Sequence, residues 1–321
     1  MDLTNLPKYG ELPIVEGTQE RSAWGTFGND DEYGCLNFLT PERVTAAANL
    51  IRTGKGVSLN LPIDVPGMQF WSSRDGSLEH HVEVKRTGRD DYLSGFYLQG
   101  STQWDALSHV RFRGHGYYGG RQDADIDAGA LGIDRWASRG IFGRGVLADV
   151  ARYQEDARHP IDPQERFAID KELLEAVLSQ ERTELEPGTL LLVRTGWLRW
   201  YLQRSPQELT QMQEHFVVDR SSFNWPGIDA GIPTVAWLWD HQVAAVAADN
   251  PTLEVIRYLP ERGWAHHRLL ALLGMPLGEL WALDELSEHC RATGRYDFFL
   301  SSAPLAVPGG VGSPANAYAV F

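Results

Sequence analysis

Two apolar runs, LLLV at 190–193 and VAAVAA at 243–248, constrain the fold of this chain more than any other feature. Neither carries a polar residue, so each reads as a strand buried inside a sheet. Each also follows a helical pattern. IDKELLEAVLSQE opens with Asp170, which is suited to capping, and sets Leu173, Leu174, Val177 and Leu178 on one face. A turn at PGT then feeds LLLV. In IPTVAWLWDHQVAAVAADN a helical stretch around 235–239 likewise precedes the strand. Strands alternating with helices predict an α/β fold.

The pattern extends in both directions. Thr40 can cap a helix whose first position suits Pro41, and VTAAANLI gives it an apolar face before Gly54 stops it. VSLNLPI follows as a strand, with Val57, Leu59 and Leu61 alternating against Ser58 and Asn60. HHRLLALLGMPLGEL begins as a short apolar helix at His266 that Gly274 and Pro276 interrupt, which lets the chain turn back on itself. Asp284 can cap a helix through ELSEHCRATG, and RYDFFLSSAPLAV holds a late strand. The Gly- and Pro-rich tail PGGVGSPANAYAVF has to dock on the body to be ordered. No repeat, low-complexity tract or Gly/Ser linker marks a boundary. Residues 1–321 are therefore expected to form one domain, with 1–40 as an N-terminal extension packed on it.

Charge narrows the function classes. With 43 acidic against 29 basic side chains the formal net charge is −14, a field that repels nucleic acid and anionic lipid. No apolar run approaches the roughly 18 residues of a membrane span, and the opening MDLTNLPKYGELP lacks the pattern of a signal peptide, so the expected location is the cytoplasm. The two cysteines, Cys35 and Cys290, form no CxxC pair and are expected as buried free thiols. PGGVGSP lacks the lysine of a phosphate loop, GRGVLAD lacks the three-glycine nucleotide fingerprint, and no GxSxG elbow is present.

The densest polar cluster is LQGSTQWDALSHV, from Leu98 to Val110. Gln99, Gln103, Asp105 and His109 fall at odd positions, so an extended stretch points them to one side and a turn gathers them closer. The same spacing also suits a solvated strand face with ordinary hydrogen bonds.

The run QGSTQWDALSH resembles the pattern HxGTHxDxPxH of the cyclase family of metal-dependent hydrolases, which includes bacterial kynurenine formamidases and isatin hydrolases. Asp105 and His109 match, while Gln99 and Gln103 stand where the family has metal-binding histidines. His267 and Glu279 reproduce the family's downstream His and Glu, 12 residues apart. WGTFGNDDEYGCLNFLTPERV, LLVRTGW, the WPG and LLALLGMPLGELWAL extend the similarity over most of the chain, closest to a longer branch with a TQWD motif. The resemblance implies a single compact domain around a curved mixed sheet with flanking helices, assembled as a homodimer or higher homo-oligomer.

It also implies a divalent metal, Mn²⁺ or Zn²⁺, held by Gln103, Asp105, His267 and Glu279, with Gln99 as a further ligand. A donor set so rich in oxygen suits Mn²⁺ or Mg²⁺ better than Zn²⁺. The implied reaction is hydrolysis of an amide, lactam, lactone or ester of a small cyclic or aromatic substrate. Metal-bound water is the nucleophile and His109 the acid/base, with His267 and Glu279 also in catalytic positions. Two alternatives stay open. One is a metal-free cyclase or lyase in which His109 moves a proton beside a carbonyl; the other is a degenerate member that binds an aromatic ligand without turnover. Eleven tryptophans make aromatic walls available, and Trp71, Trp104 and Trp225 are the candidates for contacting substrate. HGYYGGRQD after His115 reads equally as a mobile flap or an ordinary surface loop.

Overall fold

In the computed structural model, which describes residues 6–65, 78–257, 259 and 262–321, LLLV forms the strand Leu190–Val193 and lies fully buried. It occupies the middle of a curled nine-stranded mixed sheet. From edge to edge the strands are Gly56–Ser58, Ala317–Val320, Asp297–Ser302, Ile141–Ala148, Leu190–Val193, Ala245–Ala248, Leu277–Glu279, Gln103–Asp105 and Gly312–Pro314. Ile141–Ala148, Leu190–Val193, Ala245–Ala248 and Leu277–Glu279 run parallel, and the pairs outside them are antiparallel. Strands covered on both faces have no wet side, which is why the central ones read as unbroken apolar runs. Asp297–Ser302 instead alternates, burying Phe298, Leu300 and Ser302.

The helices follow their caps. Thr40 accepts from the Arg43 backbone N–H ahead of Pro41–Ala48, and Asp170 accepts from Leu173 ahead of Lys171–Gln180. The latter helix buries Leu174, Val177 and Leu178. The helix around 235–239 spans Ile232–Asp240. Asp284 is the first residue of Asp284–Thr293 and not its cap, because Arg194 takes its carboxylate through Nε at 2.9 Å and Nη2 at 2.7 Å. The strand expected through VSLNLPI is cut to Gly56–Ser58. Its end is set by Asn60, whose side-chain amide donates to the Ala317 carbonyl and accepts from the Ala317 N–H, replacing the ladder.

The tail docks by entering the sheet twice, as Gly312–Pro314 beside Gln103–Asp105 and as Ala317–Val320 between two strands. The N-terminal residues dock as well: the Ala23 N–H donates to Leu272 O and the Cys35 N–H to Gly274 O. Gly34, at φ +55°, lies so close to Gly274 that a Cβ would strike its carbonyl. Cys35 and Cys290 are buried free thiols. The HGYYGGRQD segment is pinned by Tyr118, which is buried against Gly274 and donates to Asp31. No helix among the described residues is long and apolar enough to cross a membrane.

Candidate metal centre and active site

The strand Gln103–Asp105 sets the geometry. Its antiparallel register puts Gln103 opposite Glu279 and Asp105 opposite Leu277. Alternation then turns Gln103 and Asp105 to one face and Trp104 to the other. Gln103 Nε2 donates to Glu279 Oε2 at 2.5 Å, while its Oε1 is buried without a hydrogen-bond partner. Asp105 is fully buried, and its Oδ2 also lacks a hydrogen-bond partner. Gln99, at the turn before the strand, directs Nε2 at Asp105 Oδ1, 3.1 Å away, and at His109 Nδ1, 2.9 Å away. A turn closed by His109 N–H to Ala106 O carries the His109 ring back over Asp105, with Nε2 3.7 Å from Oδ1.

The imidazole that reaches Asp105 and Glu279 from across the sheet is that of His266, not the expected His267. Its Nε2 lies 3.5 Å from Asp105 Oδ2 and 3.3 Å from Glu279 Oε1. One ligand atom from each of Asp105, His109 and His266 falls within a 4.8 Å spread. His266 opens a π-helical segment, His266–Leu272, in which the Leu273 N–H reaches back five residues to Arg268 O. Such wide turns arise by one-residue insertion and recur at functional sites. Neighbouring helical residues point in different directions, and the His267 ring instead packs edge-on against Trp264 and Phe112. Burial, then Arg113 and His266, push its pKa down to about 4.

Glu254 carries no motif in the sequence and is nonetheless central. Its Oε1 lies 2.7 Å from His266 Nδ1 and its Oε2 accepts from the Ala265 N–H at 2.5 Å, with only 3% of the residue exposed. The two glutamates that flank His266 each adjoin a leucine in the left-handed region, Leu253 at φ 56° and Leu280 at φ 57°. Non-glycine residues rarely adopt that conformation, and it clusters at functional sites.

Burial alone would lower the pKa of His266, but the carboxylates of Glu254, Asp105 and Glu279 outweigh it and hold the ring well above the ordinary imidazole value. For Asp105, burial pushes upward, yet His109, His266 and Gln99 together keep the carboxyl below its usual range. Three carboxylates about one imidazole crowd acceptors and negative charge into a buried place, together with two oxygens that have no hydrogen-bond partner. That donor set fits a divalent cation.

The aromatic candidates divide. Trp104 is a core residue: it is fully buried, sits edge-on to Trp281 and donates to Ser302 Oγ at 2.9 Å, on the face away from Asp105. Trp225 donates to Thr252 Oγ1 and, with Trp197 and Phe223, lines a separate cavity of about 330 Å³. Trp71 lies outside the described residues.

A family model described as a putative cyclase matches residues 57–255, more than half of the chain. A crystal structure of a novel cyclase is 36% identical over 94% of this chain and 99% of its own, with a TM-score of 0.78. Isatin hydrolase A from Ralstonia solanacearum is 18% identical over 88% of this chain and 98% of its own, with a TM-score of 0.58. Isatin hydrolase A from Labrenzia aggregata, solved bound to benzyl benzoate, is 17% identical over 85% and 94%, at 0.57. No curated protein matches. The two more distant structures establish the shared fold; the family model over residues 57–255 and the 36% identical cyclase over 94% of the chain place this chain in the cyclase family.

Proposed function

We propose that this chain is a hydrolase that uses a divalent cation to cleave the amide, lactam, lactone or ester bond of a small cyclic or aromatic substrate. The observation that carries the reading is the buried bowl formed by Asp105, Glu279 and His266, with Gln103 Oε1 and Asp105 Oδ2 lacking donors. The isatin hydrolases, built on the same fold, support the reaction class. A cation in the bowl would supply Lewis-acid polarisation of a carbonyl oxygen. Asp105 and Glu279 offer carboxylate oxygen, Gln103 a neutral carbonyl oxygen and His266 a ring nitrogen, a mixture that favours Mn²⁺ over Zn²⁺. Glu254 orients His266 through Nδ1, the arrangement by which carboxylates fix ligand histidines. Gln103, by donating to Glu279, keeps that carboxylate turned inward. His109, whose side chain is 25% exposed, is the ring nearest solvent and the one that meets substrate.

A second reading has its own support. Asp105, Glu254 and Glu279 surround His266 and raise its pKa, and a ring protonated on both nitrogens would place positive charge in the bowl, which suits metal-free proton transfer beside a carbonyl. Elemental analysis of the purified protein, with turnover of an aryl lactam and lactone panel before and after chelation and Mn²⁺ return, separates the two. Activity lost on chelation and restored by Mn²⁺ supports the hydrolase; activity indifferent to chelation supports the second reading.

A further inference from the structure

The two imidazoles of the bowl have neighbours of opposite hydrogen-bonding character. Glu254 faces Nδ1 of His266, and a carboxylate only accepts, so that nitrogen carries a proton. Gln99 faces Nδ1 of His109 with its amide nitrogen. The same nitrogen lies 3.1 Å from Asp105 Oδ1, and whatever faces an ionised carboxylate must donate. An amide nitrogen has two hydrogens and no lone pair to offer. One hydrogen goes to Asp105 and the other to His109, whose Nδ1 must therefore accept. An imidazole that accepts at Nδ1 carries its proton on Nε2.

Gln99 is held in this place by the tail strand. Gly312 lies opposite Asp105 in the register, and a Cβ there would come within 2.7–2.9 Å of Gln99 Cγ, Cδ and Nε2. Only a glycine leaves room for the amide.

We infer that Gln99 is a positioning residue that fixes His109 as its Nε2–H tautomer, so that His109 donates a hydrogen bond to the substrate's carbonyl oxygen and keeps its proton. This rests on the hydrolase reading and departs from the role the family resemblance implies: His109 is not the acid/base that takes a proton from water. Neutral imidazoles polarise carbonyls in this way, and one such donor is worth about 10²–10³ in kcat. The family pattern places a histidine at position 99; here the amide takes over as director of its neighbour's proton.

The test has two arms. In the first, ¹⁵N NMR of the histidine-labelled full chain, without substrate, reads the tautomer directly, with His109 assigned by the loss of its signals in His109→Asn. The expected spectrum shows the His109 proton on Nε2, and Gln99→Met, which keeps length but removes both donors, releases the ring to a mixture of tautomers. A proton on Nδ1, or on both nitrogens, overturns the inference, as does an unchanged tautomer in Gln99→Met. In the second arm, His109→Gln keeps an N–H donor but cannot hold a transferable proton. It is expected to retain at least tenfold more kcat than His109→Ala, and equal losses overturn the donor role. The NMR arm needs no turnover, so failure of the hydrolase reading and failure of the tautomer assignment are seen separately.

Discussion

Glu254→Gln tests how the bowl is held. In the parent, two donors converge on one carboxylate: the Ala265 N–H on Oε2 and His266 Nδ1–H on Oε1. Glutamine matches the shape but offers one acceptor oxygen and one NH₂. If the oxygen stays with Ala265, the NH₂ meets His266 Nδ1 and drives the ring proton to Nε2, where it blocks the nitrogen that faces Asp105 and Glu279. If the oxygen turns to His266, the Ala265 N–H is left buried without a partner. The first arrangement leaves every donor partnered and is the one expected, and freeing Nε2 for a cation then costs the hydrogen bond it makes, about 1–3 kcal/mol. At about 1.4 kcal/mol per tenfold, divalent-cation affinity should fall roughly 5- to 100-fold, the range seen when partners of ligand histidines are removed. The assay is calorimetric titration of Mn²⁺ into parent and variant at one pH, with near-ultraviolet circular dichroism to verify that the fold is retained. A variant that stays folded and binds Mn²⁺ within twofold of the parent would refute the reasoning.

His266→Ala should weaken Mn²⁺ binding by more than 100-fold while His267→Ala stays within about threefold, since only the first ring faces the carboxylates; the same titration decides it. Gln103→His replaces an amide oxygen with an imidazole nitrogen, so competitive titration should show preference moving from Mn²⁺ toward Zn²⁺, and an unchanged ratio would remove Gln103 from the ligand set. Away from the site, burial raises the Glu181 carboxyl to about 9, with Oε2 lacking a partner. The folded state then binds a proton that the unfolded state has lost, so this group's stabilisation is present below about pH 4.5 and is lost as pH rises toward about 9. Denaturant unfolding across that window should show the decline in the parent and a flatter profile in Glu181→Gln.

Short-range physics wrote most of the fold into the sequence. Caps at Thr40 and Asp170 and the unbroken LLLV each depend on neighbours within one turn or one strand, and each is found where its pattern lies. The failures have longer reach. Asp284 was available as a cap but is claimed by Arg194, 90 residues away. The twelve-residue interval to Glu279 singles out His267, yet a π-helical turn adds one residue to the path and brings His266 round instead. Glu254 had no local signal at all: its importance comes from a fold that sets it beside His266 and from the buried proton it shares. Trp104 sits inside the motif, and strand alternation was enough to send it to the core.

The order in which the sheet is threaded bears on synthesis. Gln103–Asp105 acquires its neighbour Leu277–Glu279 only late in the chain, and its other neighbour, Gly312–Pro314, near the very last residues. At about 5–20 residues per second, the ribosome takes roughly 9–35 s to pass from Gln103–Asp105 to the first of these neighbours. Through that interval the strand bearing Gln103 and Asp105 has two open edges and no bowl to belong to. The Gly56–Ser58 strand waits longer still for Ala317–Val320. Nascent chains of this protein are thus obliged to pass through a period of exposed strand edges, the form in which chaperones meet them and premature release makes aggregates.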